Sequence, residues 1–408
     1  MSTAHRVLGA FLALAVVLSI WKPAVEHAGR DNLHVLQADA FLHGRLDVAE
    51  YRHDVSVRDG RLYVAFPPAP ALLLTPVVAL VGPDRTRTVP IALALALLSL
   101  AVAWRILEHL DVDVEVRFWS ILAFGLGTPL WYAVQRGWSV WYFSHVVAVA
   151  FLLLAIHAAL VQGAPLQAGV FLSVAMLSRH LVVFAAPFLA VALLSSKEQN
   201  RKRPAPAVLL RFAFPVAAAG LGYLLLNQLR FGNPLDTGYG AIRLAGFLAE
   251  RVKRYGLFSP AYLAFNLVHL LFQGFHMEFH GQTLLAAPTM DMFGTSLLGG
   301  SPFVLAILFA ERSPRRTWWT LWTGAAVMAV IGLLYYNNGW RQINGQRFAL
   351  DYWPLLLLPL ASGLQRQFRA GQGRLWKALI GYAVALNVLA LLLAGPLGWL
   401  LDAWPDLF

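Results

Sequence analysis

The stretch 165–195, PLQAGVFLSVAMLSRHLVVFAAPFLAVALLS, is apolar almost throughout and is interrupted at Ser178-Arg179-His180. About twenty apolar residues cross the hydrocarbon of a bilayer, so this run is too long for one upright helix. An arginine held at mid-bilayer costs at least a few kcal/mol. Two short spans that meet at a membrane surface, with Arg179 and His180 at the meeting point, are the cheaper solution.

The rest of the chain fits the same environment. Of its 408 residues 59% are hydrophobic and only 13% charged, where an ordinary soluble domain has about a quarter charged. The absence of cysteine excludes disulfides, thiolate metal sites and thiol nucleophiles. The formal charge of +11 does not point to nucleic acid, because the basic residues lie in short clusters between apolar runs, where loop orientation explains them. His5 and Arg6 precede an apolar stretch to Trp21 that a secretory signal could also show, but KPAVEHAG offers no small-x-small cleavage site. It is read as an uncleaved first span.

Further runs of spanning length lie at about 7–24, 89–107, 118–134, 142–161, 207–229, 296–310, 318–337, 353–365 and 377–396. With two from 165–195, the expectation is an all-α polytopic membrane protein of about eleven spans, a single integral domain over 1–408. Basic clusters at Lys197/Arg201/Lys202/Arg203, Arg312/Arg315/Arg316 and Arg366/Arg369/Arg374/Lys377 belong on the cytoplasmic side. That puts the N-terminus inside and the C-terminal DAWPDLF outside. The short, proline-rich 68–82 is read as a helix lying in the outer interface; if it crosses instead, 165–195 is a single helix and the later loops keep their sides. The outer face then receives a first loop at 25–88, a turn around Arg136, the break at Arg179, a second segment at 230–295 and a loop at 338–352. Within the first loop, VSVRDGRLYVAF alternates about Asp59-Gly60 and predicts a small β-hairpin. No internal repeat stands out.

In DNLHVLQADAFLHGR, 31–45, Leu33, Leu36 and Ala40 recur at helical spacing and Gly44 is a plausible stop. Asp31 is then either a cap, accepting orphan backbone N–H groups, or a general base at the membrane face. Asp39, eight residues on, lies roughly eighty degrees round the helix and is a poor partner for Asp31.

Asp31, then ADAFLHGRLDV, then RLYVAFPPAPALLLTPVVALVG resemble the first outer loop of bacterial GT-C membrane glycosyltransferases, the group of protein mannosyltransferases and the lipid A aminoarabinose transferase. GTPLWYAV with FSHVVAVAF, NQLRFGNPLDTGYG and NNGWRQINGQRFALDYWPLLLLPLA fit the same group, so the likeness runs from about residue 5 to 365. The resemblance implies a GT-C-like bundle in a bacterial inner membrane that transfers a sugar from a polyprenyl-phosphate donor to an unidentified acceptor on the outer face, by inversion, with membrane lipids around it. It makes Asp31 the catalytic acid. Many members follow that acid with a second one, where this chain has Asn32, and often place an acid at the start of the fourth span, where the nearest residue here is His145. An anionic lipid phosphate calls for basic groups on the same face, and Arg179, Arg347, Arg341 and Arg136 are the candidates. Arg136 and Arg341 could equally meet headgroups. His34, Asp39, His145 and His180 are candidates for substrate contacts.

In FHMEFHG, His276 and His280 are four apart, with His269 on the same helical face, a spacing that can hold a divalent metal. Glu278 would point away on a helix and no HExxH pattern is present, so an acceptor groove or interfacial helix comes first. The aromatic residues of GWSVWYF and YYNNGW read as interfacial anchors, with sugar stacking second. There is no phosphate-binding loop, dinucleotide motif or nucleophile elbow. Two rivals remain: a transporter or lipid flippase, which ordinarily needs polar or broken helices near the bilayer midplane, and an inactive relative that only binds a polyprenyl lipid.

Overall fold

The computed structural model describes residues 3–195, 204–280, 282–283, 286–312, 314–339, 342 and 344–396, without the side chains of 3–13, 280 and 286–289. The chain opens with α1 (Thr3–Glu26), and a 3-10 turn at Gly29–Asp31 leads into α2 (Leu33–Leu42). A hairpin of β1 (Val55–Arg58) and β2 (Arg61–Val64) follows, then α3 (Ala69–Val81), α4 (Thr88–His109), α5 (Val114–Leu126), α6 (Leu130–Gln135), α7 (Val140–Leu160) and α8 (Pro165–Met176). A 3-10 segment at His180–Ala185 joins α8 to α9 (Ala186–Ser195), and α10 (Ala205–Phe231) comes next. The segment 230–295 holds α11 (Gly246–Tyr255), α12 (Leu263–Leu271) and the strands β3 (Met277–His280) and β4 (Ala286–Met290). Short α13 (Leu297–Gly300), a 3-10 segment at Pro302–Phe309, α14 (Arg315–Leu333), a 3-10 turn at Arg347–Asp351, α15 (Trp353–Arg369) and α16 (Gly373–Leu393) complete it.

The architecture is all-α and polytopic; the only sheets among the described residues are the two hairpins. Among the described residues α4, α7, α10 and α16 are long and apolar enough to cross a membrane. Burial sorts them: 78% of the apolar window of α7 is enclosed by protein, against 11% for α10. α7 is therefore the central post, with Phe143, Leu152 and Leu153 fully buried between α4 and α8. α10 turns Leu210, Phe214 and Leu221 outward, as a helix that is apolar all round does when lipid is its solvent.

The interruption expected in 165–195 is present: α8 stops at Met176, Arg179 adopts an extended backbone, and α9 resumes at Ala186. α3 has thirteen residues, about 20 Å at 1.5 Å per residue, short of the roughly 30 Å of hydrocarbon. Two expected spans differ. The run 118–134 breaks into α5 and α6 around Gly127-Thr128-Pro129, where Pro129 lacks a backbone donor. The run 296–310 is not a continuous α-helix, because its 3-10 half at Pro302–Phe309 packs backbone to backbone on α15. Gly363 permits that contact, since a Cβ there would stand 1.9 Å from the Ala306 carbonyl oxygen.

The loop 25–88 is bound to the segment that follows α10. Val55 pairs with Val64 and Arg58 with Arg61 across an Asp59-Gly60 turn whose residues have φ of 51° and 75°, the left-handed values such a turn requires. Ser56 Oγ donates to the Gly238 carbonyl at 2.6 Å, and Arg230 Nη1 donates to the Val64 carbonyl at 2.7 Å. These bonds hold the segment after α10 against the hairpin and bring Tyr239 beneath the first loop, its ring 5.7 Å from Phe66.

Candidate active site

Asp31 ends the 3-10 turn, and the cap of α2 is its neighbour. Asn32 Oδ1 accepts the His34 N–H at 3.0 Å, while Asn32 Nδ2 donates to the Gly137 carbonyl at 3.2 Å. The capping alternative for Asp31 is thereby corrected: Asn32 does that work and fastens the turn to the start of α7. The Asp31 side chain is 37% exposed, with Oδ2 3.4 Å from His27 Nδ1. His27 stacks on Trp138 at 4.0 Å and 15°; burial lowers its pKa while Asp31 pulls it up. Arg136 joins this group. It lines, with His27, Lys22 and Trp138, a cleft of about 70 Å³, and its guanidinium lies 5.7 Å from the Tyr132 ring.

Other residues of the first loop divide as the helix geometry requires. His34 is fully buried, its Nε2 2.8 Å from Ser144 Oγ on α7, and burial lowers its pKa to about 3, so the ring is neutral at pH 7. That makes it a packing contact between α2 and α7 rather than a group open to substrate. Asp39 lies away from Asp31, its carboxylate 3.7 Å from the His43 ring.

A second group forms where the α8–α9 break meets the start of α15. Arg179 presents its fork to Asp351, with Nε 3.0 Å from Oδ1 and Nη2 2.9 Å from Oδ2. His145 Nδ1, from α7, stands 2.9 Å from the same Oδ1. Burial pushes the Asp351 carboxyl up, but Arg179 and His145 outweigh it and hold it down at about 2. Arg179 is thus charge-compensated by a carboxylate. The sequence reading missed Asp351; its one signal was an acid directly before an apolar span, four residues after Arg347.

Arg347 is different. It is 4% exposed, and among the described residues its Nε and Nη1 have no hydrogen-bond partner. The guanidinium instead lies 4.8 Å from the Tyr142 ring, 5.4 Å from Phe348 and 5.8 Å from Trp141. Its backbone is fixed by Gln342, whose Oε1 accepts the Arg347 N–H at 2.8 Å and whose Nε2 donates to Gln346 Oε1 at 3.0 Å. Gly339, at φ 91°, closes over the side chain; a Cβ there would meet Arg347 Nε at 3.3 Å and Gln342 Oε1 at 2.9 Å. Tyr132 and Tyr142, with ring centres 5.7 Å apart, lie between Arg136 and Arg347 and connect the two groups. Asp54, also unanticipated, shares this region: its side chain is 11% exposed, and Arg347 and the Trp141 N–H act on it.

His180 stands apart from Asp351, its ring 4.7 Å from Tyr223, beside Arg230. Arg341 lies outside the described residues. The helical reading of His276 and His280 is corrected, since β3 carries residues 277–280 as a strand with an irregular register against β4. His276 Nδ1 is 3.9 Å from Glu278 Oε1, and the His280 side chain lies outside the described residues. Among the described residues no three His, Asp or Glu side chains come together as metal ligands do, and Asn32 beside Asp31 is occupied by backbone contacts.

No protein-family model matches the chain, and no curated protein matches it by sequence. Among solved structures, ArnT from Cupriavidus metallidurans bound to undecaprenyl phosphate is similar, at 15% identity and a TM-score of 0.53, over 99% of this chain and 73% of that one. The same protein in the apo state aligns at 16% identity and a TM-score of 0.46, over 91% and 62%. At such identity the likeness lies in the arrangement of helices. The bundle built around α7, with its two interlocked polar segments, has a GT-C-like fold.

Proposed function

We propose that this protein transfers a sugar from a polyprenyl-phosphate carrier to an acceptor at the outer face of a bacterial inner membrane. The observation that carries the reading is Arg347: a guanidinium 4% exposed, with Nε and Nη1 unpartnered among the described residues. A buried unpaired cation is costly, and its rigid fork of donors matches phosphate oxygens. ArnT, whose fold this chain shares, has been solved with undecaprenyl phosphate bound.

In the reaction an acceptor hydroxyl oxygen forms a bond to the anomeric carbon as the bond from that carbon to the carrier phosphate breaks. The phosphate leaves with the electron pair, and its growing charge is met by Arg347, the kind of electrostatic help that usually dominates such steps. Asp31, 3.4 Å from the His27 that lines a cleft with Arg136, takes the acceptor's proton, and inversion follows from attack opposite the phosphate. Arg179 serves through Asp351 to hold the turn that carries Arg347. The described donors do not compose a metal site, so no step is routed through one.

Purified protein given undecaprenyl phosphate carrying a radiolabelled sugar, with membrane lipid extract as acceptor, tests this. Label moving to a new product supports the reading; label that only changes leaflet, or stays bound to the carrier, removes it.

A further inference from the structure

Asp54 lies just ahead of the hairpin that ties the two outer segments together, and its backbone takes a φ of 67°. A non-glycine residue in the left-handed region carries a strain that the surrounding structure must impose, and such residues gather at sites. Only 11% of its side chain is exposed, and the Trp141 N–H and the Arg347 charge act on its carboxylate. His53 Nε2 is 3.5 Å away but is itself 70% exposed, so its charge is screened. Asp351, the other acid this deep, is paired with Arg179 and His145. Among the described residues Asp54 has no hydrogen-bonded cation, and burial raises its pKa while His53, Trp141 and Arg347 lower it.

Trp141 and Tyr239 both pack on the Val55, Val64 and Phe66 cluster that begins next to Asp54, the His53 ring lies 6.0 Å from Trp141, and Trp141 lies 5.8 Å from the Arg347 guanidinium. A carboxylate that accepts from hydroxyls, set among aromatic faces that pack on C–H groups, has the chemistry to hold a neutral polyhydroxylated ring. Resting on the reading that Arg347 takes the carrier phosphate, we propose that Asp54, Trp141 and Tyr239 form the subsite for the donor's sugar, with Asp54 accepting a ring hydroxyl. Here the sugar would lie beside its own phosphate, as the glycosyl phosphate bond demands. Buried groups built to bond a hydroxyl reject a ligand that lacks it far more strongly than an apolar pocket does.

The test uses full-length protein and undecaprenyl phosphate carrying glucose, mannose, galactose or xylose, with deoxy analogues of the best donor and sugar-free undecaprenyl phosphate. Asp54→Asn keeps the left-handed backbone accessible, and Trp141→Phe keeps a ring while removing its N–H. The expected result is a KM at least tenfold higher in both variants, loss of the wild-type discrimination against one deoxy analogue in Asp54→Asn, and binding of the sugar-free carrier weakened less than that of the sugar-bearing donor. Wild-type KM and an unchanged ranking of deoxy donors in Asp54→Asn overturn the subsite while the transfer reading stands. A fall in kcat alone also overturns it, since that makes Asp54 a proton-transfer group. If the wild-type protein binds none of these lipids, the transfer reading fails and the subsite with it.

Discussion

Arg179 and Asp351 are 172 positions apart in sequence, yet the guanidinium meets the carboxylate through two donors, at 3.0 and 2.9 Å, behind the loop that carries Arg347. Asp351 is 2% exposed, so removing its charge leaves Arg179 and His145 facing an uncompensated interior. Asp351→Asn is expected to destabilise the protein by about 3 kcal/mol, since breaking a buried pair on one side costs roughly that much. Thermal unfolding in detergent reads it. Adding Arg179→Gln to Asp351→Asn should cost less than the sum of the two single changes, because both act on one network.

The same network gives a pH dependence. Asp351 is held at about 2, below the ordinary 3.8, so its contribution is complete above 3.8 and is lost as pH falls through 2. His34 has a depressed value of about 3 against an ordinary 6.5, so the unfolded chain takes up its proton first, and stability declines from near pH 6.5 downward. His34→Gln, which keeps a donor for Ser144, should flatten the decline between pH 6 and 4, a range set by the His34 values. Melting temperatures across that range decide it.

Gly363 predicts a packing defect. Any side chain at this position meets the Ala306 carbonyl oxygen at 1.9 Å, a backbone atom that cannot swing aside. Gly363→Ala must therefore separate α15 from the 3-10 segment, at a cost of about 1–3 kcal/mol typical of overpacking. A lower melting temperature with unchanged helical content checks this.

Asp31→Asn should lower transfer by at least about a hundredfold, the usual contribution of a general base, while leaving insertion and melting temperature as in the wild type. Its side chain is 37% exposed and contacts only His27 closely, so little of the fold depends on its charge. Full activity in this variant removes Asp31 as the base.

The spans and the hairpin were legible in the sequence because apolar run length and strand alternation are local properties. Alternation about Asp59-Gly60 is enough to place β1 and β2, and Arg179 inside an apolar run is enough to break α8 from α9. What could not be read is who meets whom. Arg179 looks like a free cation until the fold brings Asp351 to it, and Asp54 looks like one more loop acid until the hairpin turns it toward Arg347. The run 296–310 misled because its apolar composition is that of a span, whereas its 3-10 geometry follows from contact with Gly363 across the bundle.

Arg347 bears the central claim, and native mass spectrometry of purified protein with undecaprenyl phosphate tests it most directly, in the wild type, Arg347→Ala and Arg347→Lys. The expected result is one lipid retained by the wild type, and retention weakened about tenfold or more in Arg347→Ala, in keeping with about 1.5–3 kcal/mol for hydrogen bonds to a charged group. Arg347→Lys should fall between them, since lysine keeps the charge and loses the fork. Equal retention by all three proteins, or none by the wild type, would contradict the assignment of Arg347 to the carrier phosphate.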